Sequence, residues 1–388
     1  MAWWRRFLTG RDGDVGGLRD AGPDDPQAST PRHRTIVSLN GGGLRGLISL
    51  GLLTRLEEGY GGGPLARHVD LIGGTSTGAV IATGLALELP IEEMRRAYTE
   101  IAPAAFRRSY WRLPGLHALF DAAPMNTYIE SVCGDRTLAS GDLRTGLALL
   151  LKRLDTDEIW TVTNNPDAPF WQEPGDGSFV ANRDYRLSDL IRAATAAPHY
   201  FDPEPIEVGG DAQGIFIDAG VTPYNNPALM LFHLIASAQH GYSWPLGADH
   251  LRIISVGTGS YRHRQDPERL LNMSSSGLAL SALLSSVRHG GKMISRELKY
   301  LGRDMRTGHA TLAQPLYETL RLDVTLESDW LEAELGMRVS EADVAQLRRL
   351  DNTQMLDLAF EIGLRAGERL IDDHVAAALA EDQTPAQV

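Results

Sequence analysis

The sequence is poor in cysteine, in positive charge and in long apolar runs, and each shortage removes a class of protein. One cysteine, Cys133, in 388 residues excludes an intrachain disulfide and any multi-cysteine zinc or iron–sulfur site. Its expected role is that of a small buried hydrophobe. Lysine and arginine number 37 against 50 aspartate and glutamate, a net charge of −13. Phosphate neutralisation needs clustered cations, so this balance argues against a nucleic-acid binder. No segment has the roughly 20 apolar residues of a membrane span; the uncharged stretch Leu71–Leu87 is rich in glycine and threonine. Met1–Leu8 is followed by threonine, glycine and charges in place of the apolar core of a secretory signal. The expected location is therefore the cytoplasm, with peripheral membrane contact as an option. The carboxylates show no calcium-loop spacing, and no metal or cofactor is expected.

What is present has globular proportions, with 43% hydrophobic and 22% charged residues, close to the averages for folded domains. Residues 1–33 carry the Gly/Pro/Asp punctuation of an unpacked tail. Within it Trp3, Trp4, Arg5, Arg6 and Phe7 have the chemistry of an interfacial lipid contact, or else form a plain mobile terminus. The β-branched run Thr35–Leu39 ends in glycines, and a helical pattern follows from Leu44 to Glu58. The same order recurs with a strand at Val69–Ile72, a turn over Gly73–Gly78 and a helix over Ala79–Glu88. Further strands are expected at Ile159–Thr163, Ile215–Ile217 and Leu251–Val256, and helices at Ile91–Ile101, Leu187–Thr195 and Pro227–Gln239. Strands alternating with helices predict a layered α/β domain with a mainly parallel sheet over residues 34–260. After Gly259 strand signals nearly vanish, so 261–380 is expected to be a helical extension packed on that core. It holds a stripe at Leu280, Leu283, Leu284 and Val287, then two helices between Glu341 and Leu379. Residues 381–388 are expected to fray.

The chemistry concentrates in three places. Gly74-Thr75-Ser76-Thr77-Gly78 lies between a predicted strand and a predicted helix, the context a nucleophile elbow requires. Gly74 and Gly78 allow strand and helix to approach around a strained turn, which presents the Ser76 hydroxyl at the carboxyl edge of the sheet. Asn40-Gly41-Gly42-Gly43-Leu44-Arg45-Gly46 also joins strand to helix, so several amides can converge on an oxyanion or a phosphate. The run lacks the Lys-Ser/Thr of a P-loop and the spacing of a dinucleotide fold. Arg45 either adds to the positive field or is a solvated helix residue. Asp218-Ala219-Gly220 follows a predicted strand, and in a parallel sheet Asp218 would share a rim with Ser76. No histidine is equally well placed.

In that order these three motifs resemble the patatin-like phospholipases and acyl hydrolases. The blocks Ala193–Phe201 and Asn225-Asn226-Pro227 look like further family segments, and the resemblance spans about Thr35 to Gly259. It implies a three-layer sandwich and a Ser–Asp dyad in place of a triad. Ser76 would be the nucleophile, Asp218 its base and the amides of Gly41, Gly42, Gly43 and Leu44 the oxyanion hole, with Arg45, Gly74, Gly78, Ala219 and Gly220 in support. The implied substrate is a phospholipid or another fatty-acyl ester. A carboxylate with a pKa near 3.9 is a poor base for a hydroxyl unless burial raises it. The chain departs from the family at Asn40, usually Asp, and at Ala219, usually Gly. Three alternatives stand beside this reading. One is an α/β-hydrolase with a Ser-Asp-His triad, which normally needs more strands before the elbow. The others are a ligand-gated membrane-damaging effector and a non-catalytic relative. Two segments, Leu278–Val287 and Phe106–Arg112, read either as an interfacial lip beside the site or as a core-packed helix and a solvated loop.

Overall fold

Aliphatic and β-branched residues at Arg34–Leu39 form strand β1, buried from Thr35 to Leu39, as a strand covered on both faces requires. It lies inside the sheet of a computed structural model that describes residues 33–107, 118–173, 175–210 and 212–381. The Trp3–Phe7 cluster, Arg108–Arg112 and the last seven residues lie outside the described residues.

From β1 the glycine loop leads into α1 (Gly46–Gly59), β2 (Leu71–Thr75), α2 (Thr77–Ala86) and α3 (Ile91–Ala105). Next come α4 (Ala123–Cys133) and the hairpin of β3 (Gly146–Arg153) with β4 (Glu158–Thr163). Then follow α5 (Leu187–Thr195), β5 (Glu204–Gly209), β6 (Ala212–Asp218), α6 (Ala228–Ala236) and β7 (Leu251–Val256). The C-terminal part holds the short α7 (Pro267–Leu271), the long α8 (Ser275–Leu301), β8 (Gly302–Asp304) and β9 (Tyr317–Leu322). It closes with α9 (Ser328–Leu335), α10 (Glu341–Leu347), α11 (Leu356–Leu370) and α12 (Asp373–Glu381).

Among the described residues the sheet has nine strands in the order β5-β6-β3-β2-β1-β7-β9-β8, with β4 paired to β3 off that path. Strands β3, β2, β1, β7, β9 and β8 run parallel, while β4 and β6 oppose β3. The expected mainly parallel sheet is therefore present. Alternate side chains enter two cores. Val37, Leu39, Ile72 and Val256 join one with residues of α1, α2, α5 and α11; Ile36, Leu71 and Ile253 join the other with Phe232, Ile294 and Leu298.

Four expectations change. Strand β2 starts at Leu71 and runs on through Gly73 and Gly74, because both glycines pair with β1 and with β3. Strand β3 has no alternating pattern to betray it; Leu147 to Leu151 are all buried, so both faces are apolar. The C-terminal part is not only helical, since β9 pairs with β7 over five residue positions, so the expected division near residue 260 runs through one sheet. The stretch from Glu341 holds three helices instead of two.

The leucine stripe of α8 also departs from the core-packed reading. Gly290, Ile294 and Leu298 are buried, but none of the described side chains from Ser275 to His289 is.

Candidate active site

Ser76 sits between β2 and α2 with φ 57° and ψ −128°, a conformation that costs a non-glycine residue steric energy and persists only where packing enforces it. Two glycines enforce it here. A methyl group at Gly74 would lie 2.1 Å from the Gly78 carbonyl oxygen, and one at Gly78 would lie 2.3 Å from that of Leu39. The elbow read from Gly-x-Ser-x-Gly is thus present, and Ser76 opens onto a cavity at the amino end of α2.

Asp218 reaches Ser76 by a route the sequence reading did not foresee. The argument for a shared rim assumed a parallel neighbour, but β6 is antiparallel to β3. Register explains the meeting. Leu150 of β3 pairs with Thr75 on one side and Thr161 on the other; Leu151 pairs with Asp218 and Trp160. Strand β6 therefore takes over the edge of β3 where β2 stops, and the two strands end head to head. The Ser76 side chain lies close enough to the Asp218 carboxylate to favour its charged form. The amide of Gly220 donates to Asp218 Oδ1 at 2.6 Å, and the Asp218 amide donates to the Ala196 carbonyl at 3.0 Å, so the Ala193–Phe201 block supports the acid.

Asp218 is 4% exposed. Burial pushes its pKa up to about 6, with the nearby Ser76 hydroxyl and the Gly220 amide opposing the rise. Loss of hydration penalises the charged form more than these two donors restore it. Ala219 is fully buried and opens a tight turn with no positive φ, so the missing glycine leaves no strain.

The glycine loop is held from three directions. Gly41 donates its amide to the Asn225 carbonyl at 3.0 Å, and its own carbonyl accepts from Thr258 Oγ1 at 2.9 Å and Asn225 Nδ2 at 3.3 Å. Leu44 donates its amide to the Leu350 carbonyl at 2.9 Å. Of the four amides expected to serve an oxyanion, those of Gly41 and Leu44 are thus engaged. Those of Gly42 and Gly43 have no backbone or side-chain acceptor among the described residues.

Asn40, with its amide oriented to satisfy both neighbours, donates to the Val256 carbonyl at 3.3 Å and accepts from Arg321 at 3.2 Å. The carboxylate partner of Arg321 is Asp323, at 2.8 Å. Neither residue was legible as part of the site, because β9 itself was not. Arg45 is partly buried at the cavity wall and donates to the Gly259 carbonyl at 3.0 Å, so it is not a solvated helix residue. Burial lowers its pKa, against the pull of Tyr261 and Asp323.

The cavity has a volume of about 1440 Å³, above the 300–1,000 Å³ usual for small-ligand pockets. Its wall includes the apolar side chains of Met94, Ile101, Phe106, Ile129 and Phe201 among others. Phe106, the start of the expected interfacial lip, is half-buried and packs edge-on to Phe120 and Phe201. The wall also includes His263, Arg288 and Lys292; burial first, then the cations Arg288 and Lys292, lower the His263 pKa. Cys133 lies in the cavity wall, and burial raises its thiol to about 11. No histidine donates to or accepts from Asp218 or Ser76 among the described residues. Nor does any group of three or more His, Cys, Asp or Glu stand close enough there to hold a metal ion.

A strained serine at the edge of a mainly parallel sheet, facing an apolar chamber of this size, places the molecule among the layered α/β acyl hydrolases. Sequence comparison makes the assignment specific. The chain belongs to the patatin-like phospholipase family of lipid acyl hydrolases, whose family model matches residues 37–232. It is 26% identical over 302 residues to a cGAMP-activated phospholipase of Vibrio cholerae, covering 71% of this chain and 81% of that one. It is 26% identical to a cUMP-AMP-activated phospholipase of Escherichia coli, covering 81% and 92%. Human calcium-independent phospholipase A2-gamma is 25% identical over 65% of this chain but only 31% of its own length. Among solved structures, human GIVD cytosolic phospholipase A2 aligns with a TM-score of 0.45 and 14% identity, covering 91% of this chain and 60% of that one.

Proposed function

We propose that the protein hydrolyses fatty-acyl esters of phospholipids, with Ser76 as nucleophile, Asp218 as base and the amides of Gly42 and Gly43 as the oxyanion hole. The observation that carries this reading is the meeting of the strained Ser76 and a buried Asp218 carboxylate in the wall of one largely apolar cavity. A base must reach the proton it removes, and its pKa must be near the working pH. In acylation Ser76 Oγ bonds to the ester carbonyl carbon and its proton passes to Asp218. The carbonyl oxygen then carries the charge toward the two free amides, where one donor is typically worth about 3–4 kcal/mol. Collapse breaks the bond to the alcohol, which leaves with the proton from Asp218. Water, deprotonated by Asp218, then releases the fatty acid and regenerates Ser76.

The test is fatty-acid release from mixed phospholipid vesicles and cleavage of a soluble nitrophenyl ester. Ser76→Ala and Asp218→Asn are each expected to lower both rates by about 10³-fold or more. Full activity in Asp218→Asn would move the base elsewhere. The intact pair also counts against a non-catalytic relative.

A second reading, ligand gating, is favoured by one contact: the Leu350 carbonyl occupies the Leu44 amide of the glycine loop. Two relatives bear names that declare activation by cGAMP or cUMP-AMP. If this chain is gated in the same way, either cyclic dinucleotide raises soluble-ester turnover from a low basal rate; unchanged turnover with both rejects these two activators.

A further inference from the structure

Helix α8 runs over 27 residues, and its two halves differ. Ile294 and Leu298 on its second half are 1% and 3% exposed. Leu283, Leu284 and Val287 continue the same helical stripe toward the amino end at 3.6-residue spacing, and none of the three is buried. Leu283 and Leu284 are 66% and 52% exposed, and Leu271 of the adjoining α7 is 86% exposed. The bare half, Ser275–His289, is about 22 Å long at 1.5 Å per residue. It borders the active-site cavity, whose wall includes Leu284, Val287 and Arg288.

The charge around this stripe is positive on balance. Residues 270–287 contain no Asp, Glu, Lys or Arg, and Arg269 and Arg288 bracket them. From Arg262 to Lys299 there are seven Lys and Arg and three Asp and Glu, an excess of four positive charges in a chain of net charge −13. No ion pair among the described residues engages Arg264, Arg269, Arg288 or Lys292. Unpaired cations beside exposed leucines suit a surface that is negative outside and apolar beneath. They suit a second copy poorly, since two such faces would oppose like charges.

We propose that α7 and the first half of α8 form a docking face for an anionic phospholipid bilayer, which brings the mouth of the cavity onto the membrane. The proposal extends the phospholipase reading by naming the physical form in which substrate is met. Leu271 and Leu283 would enter the acyl boundary, and the arginines would meet lipid phosphates. Overall repulsion between an acidic protein and an anionic surface is screened within about 10 Å at 0.1 M salt, so the local patch sets the approach.

The test uses the full chain carrying Ser76→Ala, so that vesicles remain intact whether or not the dyad reading holds. Binding is measured by co-sedimentation with vesicles of phosphatidylcholine alone and of phosphatidylcholine mixed with phosphatidylglycerol. The parent is expected to bind the mixed vesicles, less well as salt is raised, and to bind the neutral ones weakly. Leu271→Asp with Leu283→Asp, and separately Arg264→Glu with Arg269→Glu, are each expected to weaken partition by about tenfold or more. None of the four residues lines the cavity, so the same pairs with Ser76 intact keep full soluble-ester activity. Binding equal to that of the parent in either pair overturns the proposal. So does light scattering that shows a dimer which the leucine pair makes monomeric, with no vesicle binding by the parent. Loss of soluble-ester activity in Asp218→Asn bears on the dyad alone and leaves the binding result standing.

Discussion

At the scale of single residues, the decisive quantity for the proposed dyad is the basicity of Asp218. An ordinary aspartate is almost fully ionised above pH 5 and has little appetite for a serine proton; a carboxylate titrating near 6 is a better base. The rate of soluble-ester hydrolysis is therefore expected to fall on the acid side with an apparent pKa near 6, readable from kcat/KM against pH. The same burial costs stability. A carboxyl group whose folded pKa exceeds its unfolded value stabilises the fold fully below about pH 4, and that contribution is lost as pH rises through 6. Asp218→Asn is thus expected to melt higher than the parent at pH 8, by up to about 3 kcal/mol from a shift of roughly two units, while losing turnover. A lower melting temperature at pH 8 would show that the carboxylate is better stabilised than its burial suggests. The proposed oxyanion amides make a second residue-scale case. A methyl group at Gly42 would lie 2.2 Å from Thr258 Oγ1, so Gly42→Ala must turn the peptide. Steady-state kinetics on the soluble ester should show kcat lowered about 10²–10³-fold with little change in KM.

At the scale of elements, β2, its elbow and α2 act as one piece. Gly78 is pressed against the Leu39 carbonyl, so the start of α2 is fixed to β1 as well as to β2. Gly78→Ala is expected to separate the helix from the strands and to destabilise the fold by about 3 kcal/mol, the upper part of the usual range for overpacking. Thermal melting checks this, and an unchanged melting temperature would mean that the elbow yields freely. The second consequential element is β6. Because it enters along the edge β2 vacates, Asp218 faces Ser76 across a gap set by β3, and the pair is tied together by three strands.

At the scale of the whole molecule, the C-terminal third is part of the architecture that holds the site. Strand β9 lies between β7 and β8, and Arg252 bonds Glu318 across the β7–β9 ladder at 2.8 Å with both side chains largely buried. Removing one partner of such a pair leaves a buried charge uncompensated. Helix α11 packs along α1, and the Leu350 carbonyl reaches the glycine loop. A chain ending at residue 260 would bare the edge of β7 and the outer face of α1, and is expected to be insoluble or unfolded. Far-UV circular dichroism and gel filtration of that truncation check the point; a folded, ester-cleaving fragment would make the C-terminal part a separable extension.

The sequence by itself determined the local events. The strand Thr35–Leu39, the elbow around Ser76 and the helix Leu187–Thr195 follow from side-chain sterics and glycine placement within a few residues, and those same motifs, in order, point to the family. Tertiary structure alone decided the rest. That β6 runs antiparallel and stops opposite Leu151, that Gly42 and Gly43 keep their amides while Gly41 and Leu44 do not, and that Arg321 supports Asn40 all depend on partners more than sixty residues away in the chain. So does the bare stripe on α8, where one heptad pattern is core at one end and surface at the other. Spacing along a chain encodes which face a side chain takes; it does not encode what, if anything, comes to lie against that face.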